Sequence, residues 1–178
     1  KEIMINEKRI SKGFWVWGQF DSKATELITH CHSKANEVLK GPSFDMHLTL
    51  SGPMQELKSN QNNKLNKLVQ SLSPITLQLK GIGMKEQFFQ SLFINVSNDP
   101  SLINLKSQID SKLNLTSKNY FPHISLYYGN AEYQSKLELA DGLEPPEEVF
   151  LDKISIVKVD ETIKSWKVLD SFSLSGHA

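Results

Sequence analysis

Two short runs of this chain, FDMHLTLSG (Phe44–Gly52) and FPHISLYYG (Phe121–Gly129), each set a histidine and a small hydroxyl residue two apart on what reads as a buried strand. Side chains alternate across a strand. His47 and Thr49 therefore share one face and Leu48 and Leu50 the other, while His123 and Ser125 oppose Ile124 and Leu126 in the same way. The aliphatic face needs a helical layer behind it. The polar pairs must then look away from that layer, so the fold has to give both strands a common open side.

The surrounding elements repeat in order. GFWVWGQF (Gly13–Phe20) reads as an aromatic-rich strand. Asp21 or Ser22 caps a helix whose apolar residues fall at Ala24, Leu27, Ile28, Cys31, Ala35, Val38 and Leu39, with Gly41-Pro42 ending it. The first His strand follows, then a helix striped by Leu65, Leu68, Val69 and Leu72, then the alternating strand ITLQLKGI. The order begins again with a long strand over Glu86–Val96. A helix opened by Pro100 and striped by Leu102, Leu105, Ile109 and Leu113 comes next, then the second His strand and a helix near Ala131–Ala140. Two strands, VFLDKISIVKVD and SWKVLDSFSLS, flank a turn near Glu161-Thr162.

Each half thus runs strand, helix, His strand, helix, strand, which points to an internal duplication. The expected fold is α+β: a bilobal duplication of β-α-β-α-β units whose mostly antiparallel sheets face a central cleft. One compact domain spans residues 1–178, with lobes near 13–83 and 84–175 and room for exchanged strands. The pseudo-symmetry would place one His strand in each lobe.

What faces that cleft limits the chemistry. Imidazole titrates near pH 6.5 in its ordinary state, so two of them can serve as general base and general acid in one step. Hydroxyls donate hydrogen bonds to an oxyanion. A phosphodiester needs this set: donors for its non-bridging oxygens, a base for water and an acid for the leaving alkoxide. The acidic clusters of a two-metal phosphodiesterase are missing near either histidine, so no metal or other cofactor is expected. Ser and Thr are abundant here, and a single His-x-Ser/Thr match carries little weight. The shared apolar flanks, equivalent positions and downstream glycines of the two runs carry more.

Lys plus Arg and Asp plus Glu number 20 each, giving no formal net charge. A protein gripping long nucleic acid by its phosphates usually carries a basic excess, so a small nucleotide is the expected partner, with no long nucleic acid. No apolar run reaches the ~20 residues needed to span a bilayer, and the charged start KEIMINEKRI lacks a signal peptide's apolar core. With its one cysteine, Cys31, the chain is expected to be a cytoplasmic monomer without a membrane partner.

The motifs HLTL and HISL resemble those of the 2H phosphoesterase superfamily, named for two His-x-Thr/Ser motifs, one per lobe. FFQSLFINV, PHISLYYG and KVDETIKSWKVL are similar to the cyclic phosphodiesterase group of plants and yeast, and the likeness runs from WVWG to SWKVL. The resemblance implies metal-free opening of nucleoside 2′,3′-cyclic phosphates or ADP-ribose 1″,2″-cyclic phosphate. By motif, it implies that His47 and His123 are the acid–base pair and that Thr49 and Ser125 hold the phosphate oxygens. It also implies that Trp17 and Tyr128 contact the nucleotide. Met46 stands where the group commonly has Pro before the first motif, whereas Pro122 keeps that place in the second. Parity puts Tyr128 on the wrong face of its strand unless the strand has ended by then. Two alternatives are a phosphodiesterase acting on 2′,5′-linked oligonucleotides or RNA ends, and a nucleotide-binding module without turnover.

Other candidates are set aside. His30 and His32 flank Cys31 on the first helix at i and i+2, which point to different sides, and Cys31 belongs to the apolar stripe. EPPEE reads as a solvated loop, Gly81–Gly83 as a turn or bulge, and His177 as part of a disordered terminus.

Overall fold

A computed structural model describes residues 12–116 and 119–176; His177 and the charged start over 1–11 lie outside them. Strand β1 (Gly13–Phe20) leads into helix α1 (Ser22–Leu39), β2 (Leu48–Met54), α2 (Ser59–Gln70) and β3 (Ile75–Met84). Then come β4 (Leu92–Val96), α3 (Pro100–Lys112), β5 (His123–Tyr127), α4 (Tyr133–Ala140), β6 (Glu148–Val159) and β7 (Lys167–Ser173).

Local chemistry sets the helix ends. The Asp21 carboxylate accepts from the Ala24 amide at 3.2 Å and caps α1, and Pro100 sits in the first turn of α3 after Asp99. The apolar stripe of α1 is narrower than its sequence suggests. Ala24, Ile28, Cys31 and Ala35 are buried, whereas Leu27 and Val38 are exposed because each lies one step off that line. His32 takes a place on the buried side instead.

The seven strands form one antiparallel sheet in the order β1-β2-β5-β4-β3-β6-β7, with β1 also pairing β6. Along one edge β6 pairs β1, and along the other it pairs first β3, through Glu148–Leu151, and then β7, through Lys153–Lys158. The result is two halves, β2-β1-β6-β7 and β5-β4-β3, joined by the β3–β6 pairing at one side and the β2–β5 seam at the other. The seam is the pair Leu48↔Ile124.

One expected strand is corrected. Glu86–Val96 is not continuous: β3 and β4 are a hairpin, and its connection holds a 3₁₀ turn at Phe88–Gln90. The buried Lys136 ammonium gathers the carbonyls of Lys85 and Ser91 at 3.0 and 3.3 Å, which draws this segment out of the ladder. Strand β3 itself runs through Gly81-Ile82-Gly83 to Met84, with a register shift between Leu79 and Ile82 where Gly81 has φ +80°.

Behind the sheet, Ile28 of α1, Leu65 of α2 and Ile109 of α3 share one core with Leu48, Leu50, Ile124 and Leu126. Each such side chain contributes roughly 1.5–3 kcal/mol. Slipping either His strand by one residue would bury imidazole and expose leucine, so packing sets the register. A smaller cluster of Trp17, Val157 and Val159, with Trp15, Trp166 and Val168 packed on it, forms separately from this core. Among the described residues no helix is long and apolar enough to cross a membrane.

Candidate active site

The seam builds the site. With Leu48 opposite Ile124 in antiparallel register, Thr49 comes opposite His123 and His47 opposite Ser125. All four side chains lie on the face away from the core. They line a cavity of about 340 Å³ together with Trp15, Trp17, Phe89, Gln90, Tyr128, Val159 and Trp166.

Both imidazoles are held alike. His47 Nδ1 lies 2.7 Å from the carbonyl oxygen of Asp45, and His123 Nδ1 lies 2.9 Å from that of Phe121. A carbonyl only accepts, so each Nδ1 carries the proton, and Nε2 is left as the nitrogen available to the cavity. Each ring also rests on an aromatic neighbour: His47 on Trp17 at 3.5 Å between centres and 7° between planes, His123 on Phe121 at 4.9 Å and 25°.

Desolvation favours the neutral form of both. Burial, aided by the proximity of His123, brings the His47 pKa down to about 4 despite the Asp45 hydrogen bond. His123 is lowered by burial and by the Lys85 ammonium, against the Phe121 hydrogen bond. Lys85 Nζ sits 4.0 Å from the centre of the Phe121 ring.

Tyr128 enters because β5 ends at Tyr127. Gly129 turns the chain at φ +155°, and its amide donates to Phe88 O at 3.1 Å. A Cβ on Gly129 would meet the Tyr127 hydroxyl at 2.1 Å. Tyr128 stacks on Phe44 at 4.0 Å; burial raises its phenol pKa, and Ser125 partly offsets the rise. Trp17 pairs Thr49 across β1 and β2 and lines the cavity with one ring face against His47. The backbone beneath Thr49 is braced by the Tyr120 hydroxyl, which donates to its carbonyl at 2.6 Å.

Residues from two loops complete the cavity and were not singled out in the sequence: Phe89 and Gln90 from the 3₁₀ turn, and Trp166 after a second 3₁₀ turn at Ile163–Ser165. Their signal in the sequence was their place in the family-like runs FFQSLFINV and KVDETIKSWKVL. Phe89, Tyr128 and Trp17 all have ring contacts with Trp166, at 6.3, 5.8 and 6.0 Å, giving the cavity an aromatic side. His32 and Cys31 lie elsewhere: His32 Nδ1 donates to Leu126 O at 2.6 Å, and Cys31 is buried in the core. Among the described residues no three His, Cys, Asp or Glu side chains are grouped to hold a metal ion.

A family profile described as cyclic phosphodiesterase-like protein matches residues 17–174. No curated protein sequence matches the chain. Among solved structures it is similar to Escherichia coli LigT in apo form, with a TM-score of 0.64 at 17% identity over 91% of this chain and 96% of that one. TT0787 of Thermus thermophilus gives 0.62 at 15% identity, covering 93% and 99%. Usb1 of Kluyveromyces marxianus gives 0.50 at 14%, covering 90% and 97%. At these identities the likeness is one of fold. LigT is also solved in complex with 3′-AMP and with phosphate.

Proposed function

The chain belongs to the cyclic phosphodiesterase-like protein family, within the 2H phosphoesterase superfamily, and on that premise we propose that it hydrolyses a small cyclic phosphodiester. The substrate class is a nucleoside 2′,3′-cyclic phosphate or ADP-ribose 1″,2″-cyclic phosphate. The observation that carries this reading is the Leu48↔Ile124 register, which turns two imidazoles and two hydroxyls toward one cavity.

Thr49 and Ser125 donate to the non-bridging phosphate oxygens, and the aromatic side formed by Phe89, Tyr128 and Trp166 receives the nucleoside. Water adds to phosphorus and gives its proton to Nε2 of one histidine. The ring P–O bond breaks, and the departing ribose oxygen takes a proton from Nε2 of the other. Both carbonyl anchors keep Nδ1–H in place throughout, so each imidazole works through a single nitrogen. No step calls for a metal.

The test is hydrolysis of 2′,3′-cyclic AMP by the purified chain in the presence of a chelator, with the product identified by ³¹P NMR. Turnover to a phosphomonoester is expected, with a loss of about 10³-fold or more in His47→Ala and in His123→Ala. Binding without turnover by the wild type would show a nucleotide-binding module instead.

A further inference from the structure

The two imidazoles rest on unlike supports. His47 lies on Trp17, which is 4% exposed, whereas His123 lies on Phe121, which is 39% exposed. Phe93 meets both rings of the second pair at an angle, Phe121 at 5.4 Å and His123 at 5.3 Å. A ring as exposed as Phe121 gains little from burial, so its other contacts decide how firmly it carries His123.

Lys85 supplies such a contact. Its ammonium lies 4.0 Å from the centre of the Phe121 ring and donates to Gln90 Oε1 at 2.9 Å. The Lys85 backbone is pinned on both sides: its amide donates to Ser91 O at 3.2 Å, and its carbonyl accepts from the buried Lys136 ammonium at 3.0 Å. The side chain therefore starts from a fixed point. An ammonium donates and cannot accept, so the Gln90 atom facing it is the amide oxygen. The amide is thereby oriented, and its NH₂ group is left as a donor for the cavity that Gln90 lines. Lys85 stands outside the lining of that cavity.

The surroundings of His123 hold few charges. Strand β4 sets Asn95 and Phe93 beside it, β2 sets Thr49 opposite, and the charges that reach it are those of the His47 imidazole and the Lys85 ammonium. A fixed ammonium there disfavours a proton on His123 until an anion is bound.

We propose that Lys85 is a positioning residue of this site: its ammonium clamps the Phe121 ring that carries His123 and fixes the Gln90 amide as a hydrogen-bond donor to the bound phosphodiester. The consequence for turnover rests on the phosphodiesterase reading, whereas the clamp on His123 is a property of the free chain.

The experiment compares Lys85→Met, Lys85→Arg and Gln90→Met with the wild type in two measurements. The first is NMR titration of the imidazoles in the free chain. Lys85→Met should raise the His123 midpoint by a few tenths of a pH unit and move that of His47 less. Lys85→Arg keeps the charge and the donors and should titrate like the wild type, as should Gln90→Met, which keeps the ammonium. The second is steady-state hydrolysis of 2′,3′-cyclic AMP. Lys85→Met and Gln90→Met should each lower kcat/KM by about fivefold, and Lys85→Arg by less than about twofold. An unmoved His123 midpoint in Lys85→Met overturns the clamp. Unchanged turnover in that variant, or an equal loss in Lys85→Arg and Lys85→Met, overturns the positioning role. Absence of turnover in the wild type overturns the phosphodiesterase reading instead, and the titration then still decides whether Lys85 acts on His123.

Discussion

The indole of Trp17 lies flat on the imidazole of His47, ring centres 3.5 Å apart and planes within 7°. Together with the hydrogen bond from Nδ1 to Asp45, this stack restrains the ring and fixes the direction of Nε2. The indole face that touches His47 is unavailable to a nucleobase. We propose that Trp17, besides lining the cavity, positions the His47 ring.

Trp17→Ala is expected to lower kcat by about tenfold or more while changing KM much less, and Trp17→Phe is expected to restore most of the loss. Steady-state kinetics on a cyclic nucleotide measure the split. A rise in KM at constant kcat would mean that Trp17 binds substrate instead.

The rate should depend on pH as a bell displaced to the acid side. Both histidines are lowered in the free protein, His47 to about 4 and His123 below its ordinary value, yet the reaction needs one neutral and one protonated imidazole. The kcat/KM profile should therefore have both limbs below about pH 6.5, the ordinary imidazole value. Bound phosphodiester, an anion, favours imidazolium and should move the kcat profile upward. A flat rate between pH 5 and 8 would contradict the two-imidazole mechanism.

Stability should follow the same titration. A histidine whose folded pKa lies below its unfolded one binds its proton more readily when unfolded. The contribution is complete above about pH 6.5 and is lost as pH falls toward about 4, amounting to roughly 3 kcal/mol for His47. His32 and His123 are shifted in the same direction. Urea unfolding at pH 7.5 and pH 4.5 measures the difference, which His47→Gln should reduce without abolishing.

Lys136 supports the site from behind. Its ammonium donates to the carbonyls of Lys85 and Ser91 and lies 3.3 Å from the Ser91 hydroxyl, holding the segment that presents Phe89 and Gln90 to the cavity. Lys136→Met leaves the Lys85 carbonyl without this donor, while Ser91 O keeps the Lys85 amide, at a cost of about 1–3 kcal/mol. Thermal unfolding should register that cost, and KM for the nucleotide should rise as the aromatic side loosens. An unchanged KM would show that Lys136 serves stability alone.

The alternation of Leu48, Thr49 and Leu50, and of Ile124, Ser125 and Leu126, sufficed to predict which side chains would turn from the core. Strand parity is local and packing enforces it. The stripes of α2 and α3 were legible for the same reason, and that of α1 was drawn too wide only at Leu27 and Val38. Parity also posed the right question about Tyr128, and the end of β5 at Tyr127 answers it. By contrast, Phe89, Gln90 and Trp166 reach the cavity from 3₁₀ turns. Phe88-Phe89 sits in an apolar run that reads as strand until the distant Lys136 is seen to bend it. A second cavity, lined by Asn114 and Tyr120 from a loop, Ser51 of β2 and Lys106 of α3, was equally hidden. Nothing local announces such a meeting.

The account stands on the convergence of His47 and His123 on one phosphorus centre. A crystal structure of the chain with bound phosphate tests it most directly. The expected result is a single anion within hydrogen-bond distance of Nε2 of both histidines and of the Thr49 and Ser125 hydroxyls. An anion held by only one imidazole, or bound away from both, would contradict it.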